Sequence, residues 1–214
     1  KHHDEHEEGE HEEGEHEDEK HEAEERHEDG EEEHHEDEHH AHEGVDPHAW
    51  LDPKNAIIWV KEIERVLSKL DTENASIYKK NAKKSISKLK KLIKKTNKEI
   101  KKLGQPKFIV FHDAYLYYEK RFNLSASGSI SVGDAEDPSP ARISEIQDIV
   151  NKGEINCVFT EPQYNSGIVK NIFAGTSVVN IGVMDPLGAS IEPGSQHYSK
   201  LIQALTKSLS QCKQ

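Results

Sequence analysis

Near residue 45 the chain changes from a stretch with almost no apolar positions to one whose apolar positions are periodic. Asp52-Pro53 reads as a helix start, with the acid at the N-cap and proline at the first helical position. Ile57, Val60, Ile63, Val66, Leu67 and Leu70 then recur three or four residues apart, which predicts a helix over about 53–69. A second seam runs from Thr72 to Leu103 through Ala75, Tyr78, Ala82, Ile86, Leu89, Ile93, Thr96, Ile100 and Leu103. It has no internal proline or glycine, and Gly104 is its stop. At about 1.5 Å per residue this helix would be roughly 45 Å long, more than the width of a small domain, so it is expected to be a strut.

Beyond residue 105 the period changes. Lys107-Phe-Ile-Val-Phe111 reads as a buried strand ending at His112, with a helix from Ala114 to Phe122 after it. Leu124 to Val132 alternates like a second strand, and Ser139 to Lys152 carries Ile143, Ile146 and Ile149 at helical spacing. Cys157-Val-Phe-Thr160 predicts a third strand that stops at Glu161-Pro162, with a short helix from Gly167 to Ala174. Ser177 to Val183 predicts the fourth strand, ending in Met184-Asp-Pro-Leu-Gly188, and Ser195 to Gln211 the last helix. Four strand-then-helix units imply an α/β lobe with a four-stranded parallel sheet covered by helices, preceded by the long linking helix. Ligands of such open sheets bind beyond the carboxyl ends of the strands. His112, Glu161 and Asp185 all fall at such ends.

Composition sharpens the boundary. Residues 1–44 hold 23 acidic, 3 basic and 12 of the 15 His residues, a formal charge of −20, whereas residues 45–214 carry 25 basic against 18 acidic residues, or +7. Ala23 and Ala41 are the two hydrophobic residues of the first part, too few to offset the entropy of ordering it. It opens as an imperfect five-residue repeat, His6-Glu-Glu-Gly-Glu followed by His11-Glu-Glu-Gly-Glu. That spacing does not align His on one helix face, and like charges should keep the tract extended. Imidazole and carboxylate are both ligands for borderline cations such as zinc, so the tract is expected to capture metal at many weak, interchangeable sites. An acidic solubilising tail would need no histidine. Three segments follow: a disordered capture tract (1–44), connecting helices (45–104) and an α/β lobe (105–214).

The predicted strut carries 12 Lys against Glu73 and Glu99. Tyr78 is its one aromatic residue and no nucleic-acid motif is present, so the lysines read as a solvated basic face and no nucleic-acid partner is expected. No run approaches the ~18–20 apolar residues of a membrane span. The chain opens on Lys1 rather than Met, in the middle of a repeat, and a natural start upstream is expected. Nucleophile elbow, P-loop, dinucleotide fingerprint and His-Glu-x-x-His pair are all missing, so catalysis has no motif behind it. Cys157, in an apolar strand, and Cys212, at the end of the last helix, are too few for a zinc finger. They are either two buried thiols or a bridge, which would contribute on the order of 4 kcal/mol by chain entropy and need an oxidising compartment.

Five polar residues bear on where chemistry could lie. His48 sits between Pro47 and the Asp52-Pro53 helix start, and an exposed loop histidine of this kind is either a ligand or inert. His112, at the edge of a buried strand, needs a partner, either a metal or a neighbouring turn. Asp185 is a ligand or caps the turn that Pro186 opens. Glu161 reads as a hydrogen-bonded structural carboxylate. His197, beside Tyr198 at a helix start, reads as a surface residue.

Four blocks carry a family resemblance: Pro47-His-Ala-Trp-Leu-Asp-Pro53, Val110-Phe-His-Asp-Ala-Tyr115 with Tyr118-Glu-Lys-Arg-Phe122, Phe159-Thr-Glu-Pro-Gln163, and Asp185-Pro-Leu-Gly188. Together, over residues 45–214, they resemble the periplasmic zinc-binding components of bacterial ABC uptake systems, the ZnuA-like cluster A-I proteins (bacterial solute-binding protein 9 family). The acidic His tract resembles the charged loop that many zinc-specific members carry before the Pro-His block. The resemblance implies a two-lobed receptor with zinc held between the lobes. It matches His48 and His112 to metal ligands, Asp185 to the carboxylate that completes or borders the site, and Cys157–Cys212 to a disulfide.

On that resemblance the chain is a receptor and not an enzyme, with Zn²⁺ as carried ligand, a periplasmic location, an ABC permease as partner and a monomeric state. An imidazole at His112, where manganese-binding relatives tend to carry Glu, favours zinc. A manganese or iron receptor or adhesin, and a zinc hydrolase using Glu161 as base, are the alternatives. Neutral imidazole is the ligand form, so binding should weaken as pH falls through roughly 6 to 7. The family's first lobe, with its own histidine, precedes the His-rich loop and is missing here. The chain therefore looks like the C-terminal part of a longer protein, with three ligands and weaker binding than the whole. Water or a tract histidine would fill the open position.

Overall fold

The structure, a computed structural model, describes residues 46–131, 133, 137–153, 155, 157–176, 178 and 180–212. The expected extended tract over 1–44 lies outside these residues. A 3-10 turn, Ala49–Leu51, leads into helices α1 (Pro53–Leu70) and α2 (Ala75–Lys101). The lobe follows as β1 (Phe108–His112), α3 (Leu116–Phe122), β2 (Gly128–Ser131), α4 (Pro140–Gly153), β3 (Cys157–Thr160), α5 (Ser166–Ile172), β4 (Asn180–Val183) and α6 (His197–Leu209). The α/β class and the parallel four-stranded sheet are as expected. No helix among the described residues is long and apolar enough to cross a membrane.

The strands pair in the order β2-β1-β3-β4, all parallel, with Ile109 opposite Gly128, Phe108 opposite Cys157 and Thr160 opposite Val183. Side chains alternate between two covered faces, which is why β1 and β3 are buried at every position. Phe108, Val110, Cys157 and Phe159 pack on one face with Leu89, Leu92 and Ile100 of α2, Tyr118 and Phe122 of α3, and Leu201, Ile202, Leu205 and Leu209 of α6. Ile109, Phe111 and Val158 pack on the other with Ile146 and Val150 of α4 and Val169 and Ile172 of α5. Gly182 permits one close approach, since a Cβ there would lie 2.9 Å from the Phe159 ring. The cysteines form the bridge: Cys157 and Cys212, 55 residues apart in sequence with Cα atoms 5.4 Å apart, tie the central strand β3 to the end of α6.

Boundaries differ where pairing or packing decides them. Leu124 belongs to the loop before β2, because only Gly128 to Ser131 finds ladder partners on β1. In α1, Ala56, Ile57 and Val60 pack on the lobe core, whereas Ile63 and Leu70 are exposed. The helix pattern was legible there, but its second half runs past the core that its first turns cover.

Candidate metal centre

The chain places β2 on one side of β1 and then β3 on the other. The direction in which strands are laid down therefore reverses between β1 and β3. In a parallel sheet the two outgoing connections separate at such a point and leave a crevice beyond the carboxyl ends. His112 ends β1, and Glu161 follows β3 directly. Topology alone thus brings two residues 49 apart in sequence to one crevice, and the His112 Nδ1 and Glu161 Oε1 atoms lie 2.6 Å apart. Both side chains are buried. A carboxylate accepting from Nδ1–H fixes the tautomer and leaves the imidazole lone pair on Nε2.

His48 arrives from outside the sheet, on the segment before α1, and several contacts hold it there. The Asp52 carboxylate caps α1 by accepting from the Lys54 amide at 2.8 Å and also takes both arms of the Arg121 guanidinium, each at 2.6 Å. The hydrogen bond to Asp52 raises the Arg121 pKa above its usual value, with burial opposing the rise and the carboxylate's charge adding to it. The Trp50 indole N–H donates to the Pro186 carbonyl at 2.9 Å, and the Tyr198 hydroxyl donates to the Trp50 carbonyl at 2.7 Å. His48, far from being the exposed loop residue its neighbours suggested, is 7% exposed. Its Nδ1 and its backbone N–H both meet Asp46 Oδ1, at 2.8 and 2.9 Å.

The two imidazoles therefore come together, with ring centroids 5.4 Å apart and planes at 62°. Each has Nδ1 on its own carboxylate. Asp185 is held differently: its Oδ1 accepts from Leu187 N–H at 3.0 Å and the Gln163 amide at 3.1 Å, and its Oδ2 from Ala189 N–H at 2.6 Å. Among the described residues, no three His, Cys, Asp or Glu side chains are gathered as a metal-ready cluster. The structure thus joins His48 to His112 and leaves Asp185 ordering the β4–α6 turn. The Tyr115 phenol beside them donates to the Met184 carbonyl at 2.8 Å, and burial, then the charge of Glu161, push its pKa well up, so it stays protonated. His197 lies with Nδ1 3.2 Å from the Ile191 carbonyl and Nε2 3.3 Å from that of Leu187, packed over Gly188, whose φ is +71°.

Asp46 and Trp50 were missed in the sequence. For Asp46 the signal was there, since an acid two residues before a histidine in an Asp-Pro-His turn can bond both its amide and its ring. Trp50 had no such signal, because its partner Pro186 lies 136 residues away. Glu161 is the hydrogen-bonded carboxylate that its place before Pro162 suggests, and its partner is His112.

The chain matches, over residues 4–212, the family described as ZnuA, zinc-uptake complex component A, periplasmic. The chain belongs to the ZnuA family. Among curated ZnuA-family relatives, the high-affinity zinc uptake system protein ZnuA of Brucella abortus (strain 2308) is 42% identical over 167 residues, 78% of this chain and 50% of that protein. The protein of the same name from Paracoccus denitrificans is 33% identical over 169 residues, 79% of this chain and 52% of its own length. The chain thus spans about half the length of the curated relatives it matches. A crystal structure of ZnuA superposes with a TM-score of 0.69 at 25% identity, covering 79% of this chain and 61% of that one. A Zn(II)-bound mutant variant of AdcAII from Streptococcus pneumoniae superposes with a TM-score of 0.63 at 30% identity, over 77% and 61% of the two chains.

Proposed function

We propose that this chain is the metal-holding portion of a periplasmic zinc receptor, which collects Zn²⁺ and passes it as cargo to the permease of an ABC transporter. His48 and His112 are its imidazole ligands through Nε2, and Asp185 is the carboxylate that completes or borders the site. The observation that carries this reading is the pair of buried imidazoles with 5.4 Å between centroids, each oriented by a carboxylate on Nδ1. Histidines arranged in this way are pre-oriented metal ligands, and their orienting carboxylates raise ligand basicity. Two imidazoles in the set favour zinc over the harder manganese ion. The relatives' shared name, high-affinity zinc uptake system protein, points the same way.

The role is binding rather than catalysis. Glu161 is spent on His112 Nδ1 and so is better suited to orient a ligand than to serve as the base of a hydrolase. The receptor works as a monomer, without nucleic acid as a partner.

Calorimetric titration of Zn²⁺ tests the assignment. Replacing His48 and His112 together by Ala should abolish the tightest site while weaker sites in residues 1–44 persist. An unchanged tight site would reject it. Mn²⁺ displacing Zn²⁺ in competition would instead support the manganese alternative.

A further inference from the structure

Asp185 is flanked by two backbone carbonyls, and both are pinned by aromatic donors. The Met184 carbonyl accepts from the Tyr115 hydroxyl at 2.8 Å, and the Pro186 carbonyl from the Trp50 indole at 2.9 Å. Tyr115 stands three residues after His112, and Trp50 two residues after His48. Each histidine-bearing segment therefore reaches across to hold one side of the segment that carries Asp185. Tyr115 is fully buried. The Trp50 ring also packs against the His48 ring, centroids 5.2 Å apart, and the Trp50 carbonyl is itself held by Tyr198. In the sequence these three segments lie far apart, and the two hydrogen bonds tie the Asp185 segment directly to each of the other two.

We propose that Trp50 and Tyr115 are positioning residues that lock the Asp185 turn to the His48 and His112 segments, so that the ion meets a carboxylate already placed relative to both imidazoles. This rests on the assignment of Asp185 to the zinc site. An acidic turn that wandered relative to the imidazoles would have to be ordered when the ion binds, and that ordering would weaken binding. Two directed hydrogen bonds, one on each side of the carboxylate-bearing residue, remove that requirement in advance. The indole N–H and the phenol O–H suit this because each adds one donor at the tip of a large, rigid, packed ring.

The test uses the full chain, with Trp50→Phe and Tyr115→Phe, which keep the rings and delete one donor each, in wild-type and Asp185→Ala backgrounds. Zinc affinity is read by competition with a chelating dye. Two further readouts are the visible spectrum of the Co²⁺-loaded protein and, without metal, amide hydrogen exchange over residues 184–189. Each single substitution should weaken Zn²⁺ binding roughly 3- to 10-fold, the range that one hydrogen bond commands. Each should also alter the Co²⁺ spectrum and speed exchange in the turn. In the Asp185→Ala background the effect of Trp50→Phe on affinity should vanish, as expected of residues acting through a shared partner. The Tyr115 hydroxyl also lies beside Glu161, so part of its effect should survive there. Unchanged affinity in both single variants, or a Trp50→Phe effect of equal size without the Asp185 carboxylate, overturns the proposal. Faster exchange with unchanged affinity overturns it too. A tight site indifferent to Asp185→Ala and to loss of His48 and His112 would instead overturn the zinc-site reading itself.

Discussion

Glu119 shows how one residue can set a pH dependence far from any ligand. It lies on α3, with Oε2 accepting from the Ala126 amide at 3.2 Å and Oε1 buried without a hydrogen-bond partner among the described residues. Burial pushes its carboxyl up to about 7 from an ordinary 4.5, the charge of Asp113 adding to the rise and the Ala126 amide opposing it. The folded protein therefore holds this proton more tightly than the unfolded chain does. The contribution of Glu119 to stability is greatest below pH 4.5, declines as pH rises from there to 7, and stays at its lower value above. The span is roughly 3 kcal/mol. Glu119→Gln should remove that dependence, so urea unfolding at pH 5 and pH 8 should show the variant gaining on the wild type by about that amount at the higher pH. Parallel stabilities at the two pH values would show that Glu119 ionises in the fold as it does in water.

At the scale of elements, Asp52 does two jobs that the sequence separates. Its N-cap role was legible from Asp52-Pro53, because capping is a local matter of one side chain and an amide two residues on. Its pairing with Arg121 was not, because the partner lies 69 residues away on α3 and only the packed fold makes them neighbours. The same divide runs through the whole reading. Helix and strand identities followed from apolar period, and the strand-end positions of His112, Glu161 and Asp185 followed from where those runs stop. Strand order, the end of β2 at which Leu124 drops out, the exposure of Ile63 and the bonds from Asp46 and Trp50 depend on tertiary partners that no local pattern encodes. Asp52→Ala should remove the cap and strand the Arg121 guanidinium, costing about 2 kcal/mol, on the order of 5 °C in Tm for a domain of this size. Asp52→Asn keeps a capping oxygen, so its melting temperature should fall between those of wild type and Asp52→Ala. Equal losses in the two variants would mean that the ion pair, and not the cap, carries the stabilisation.

At the scale of the whole molecule, the histidines fall into two groups with very different surroundings. In one, the His48 and His112 imidazoles are buried and each is oriented by a carboxylate, the arrangement proposed above as the tight zinc site. Residues 1–44 carry 12 His among 23 acidic residues, and we propose that they serve as a capture tract of many weak sites. Such a tract would raise the number of ions held and the rate at which they are met, since its formal charge of −20 attracts cations, but would not match the affinity of a pre-oriented pair. Deleting residues 1–42 should therefore lower zinc stoichiometry by several equivalents, and slow uptake at low salt, while the tightest dissociation constant stays within about threefold of its value in the full chain. Raising the ionic strength should shrink the difference in uptake rate, because screening weakens long-range attraction. Loss of the tightest site on deletion would reverse the assignment, making the tract the receptor and the His48–His112 pair the accessory site.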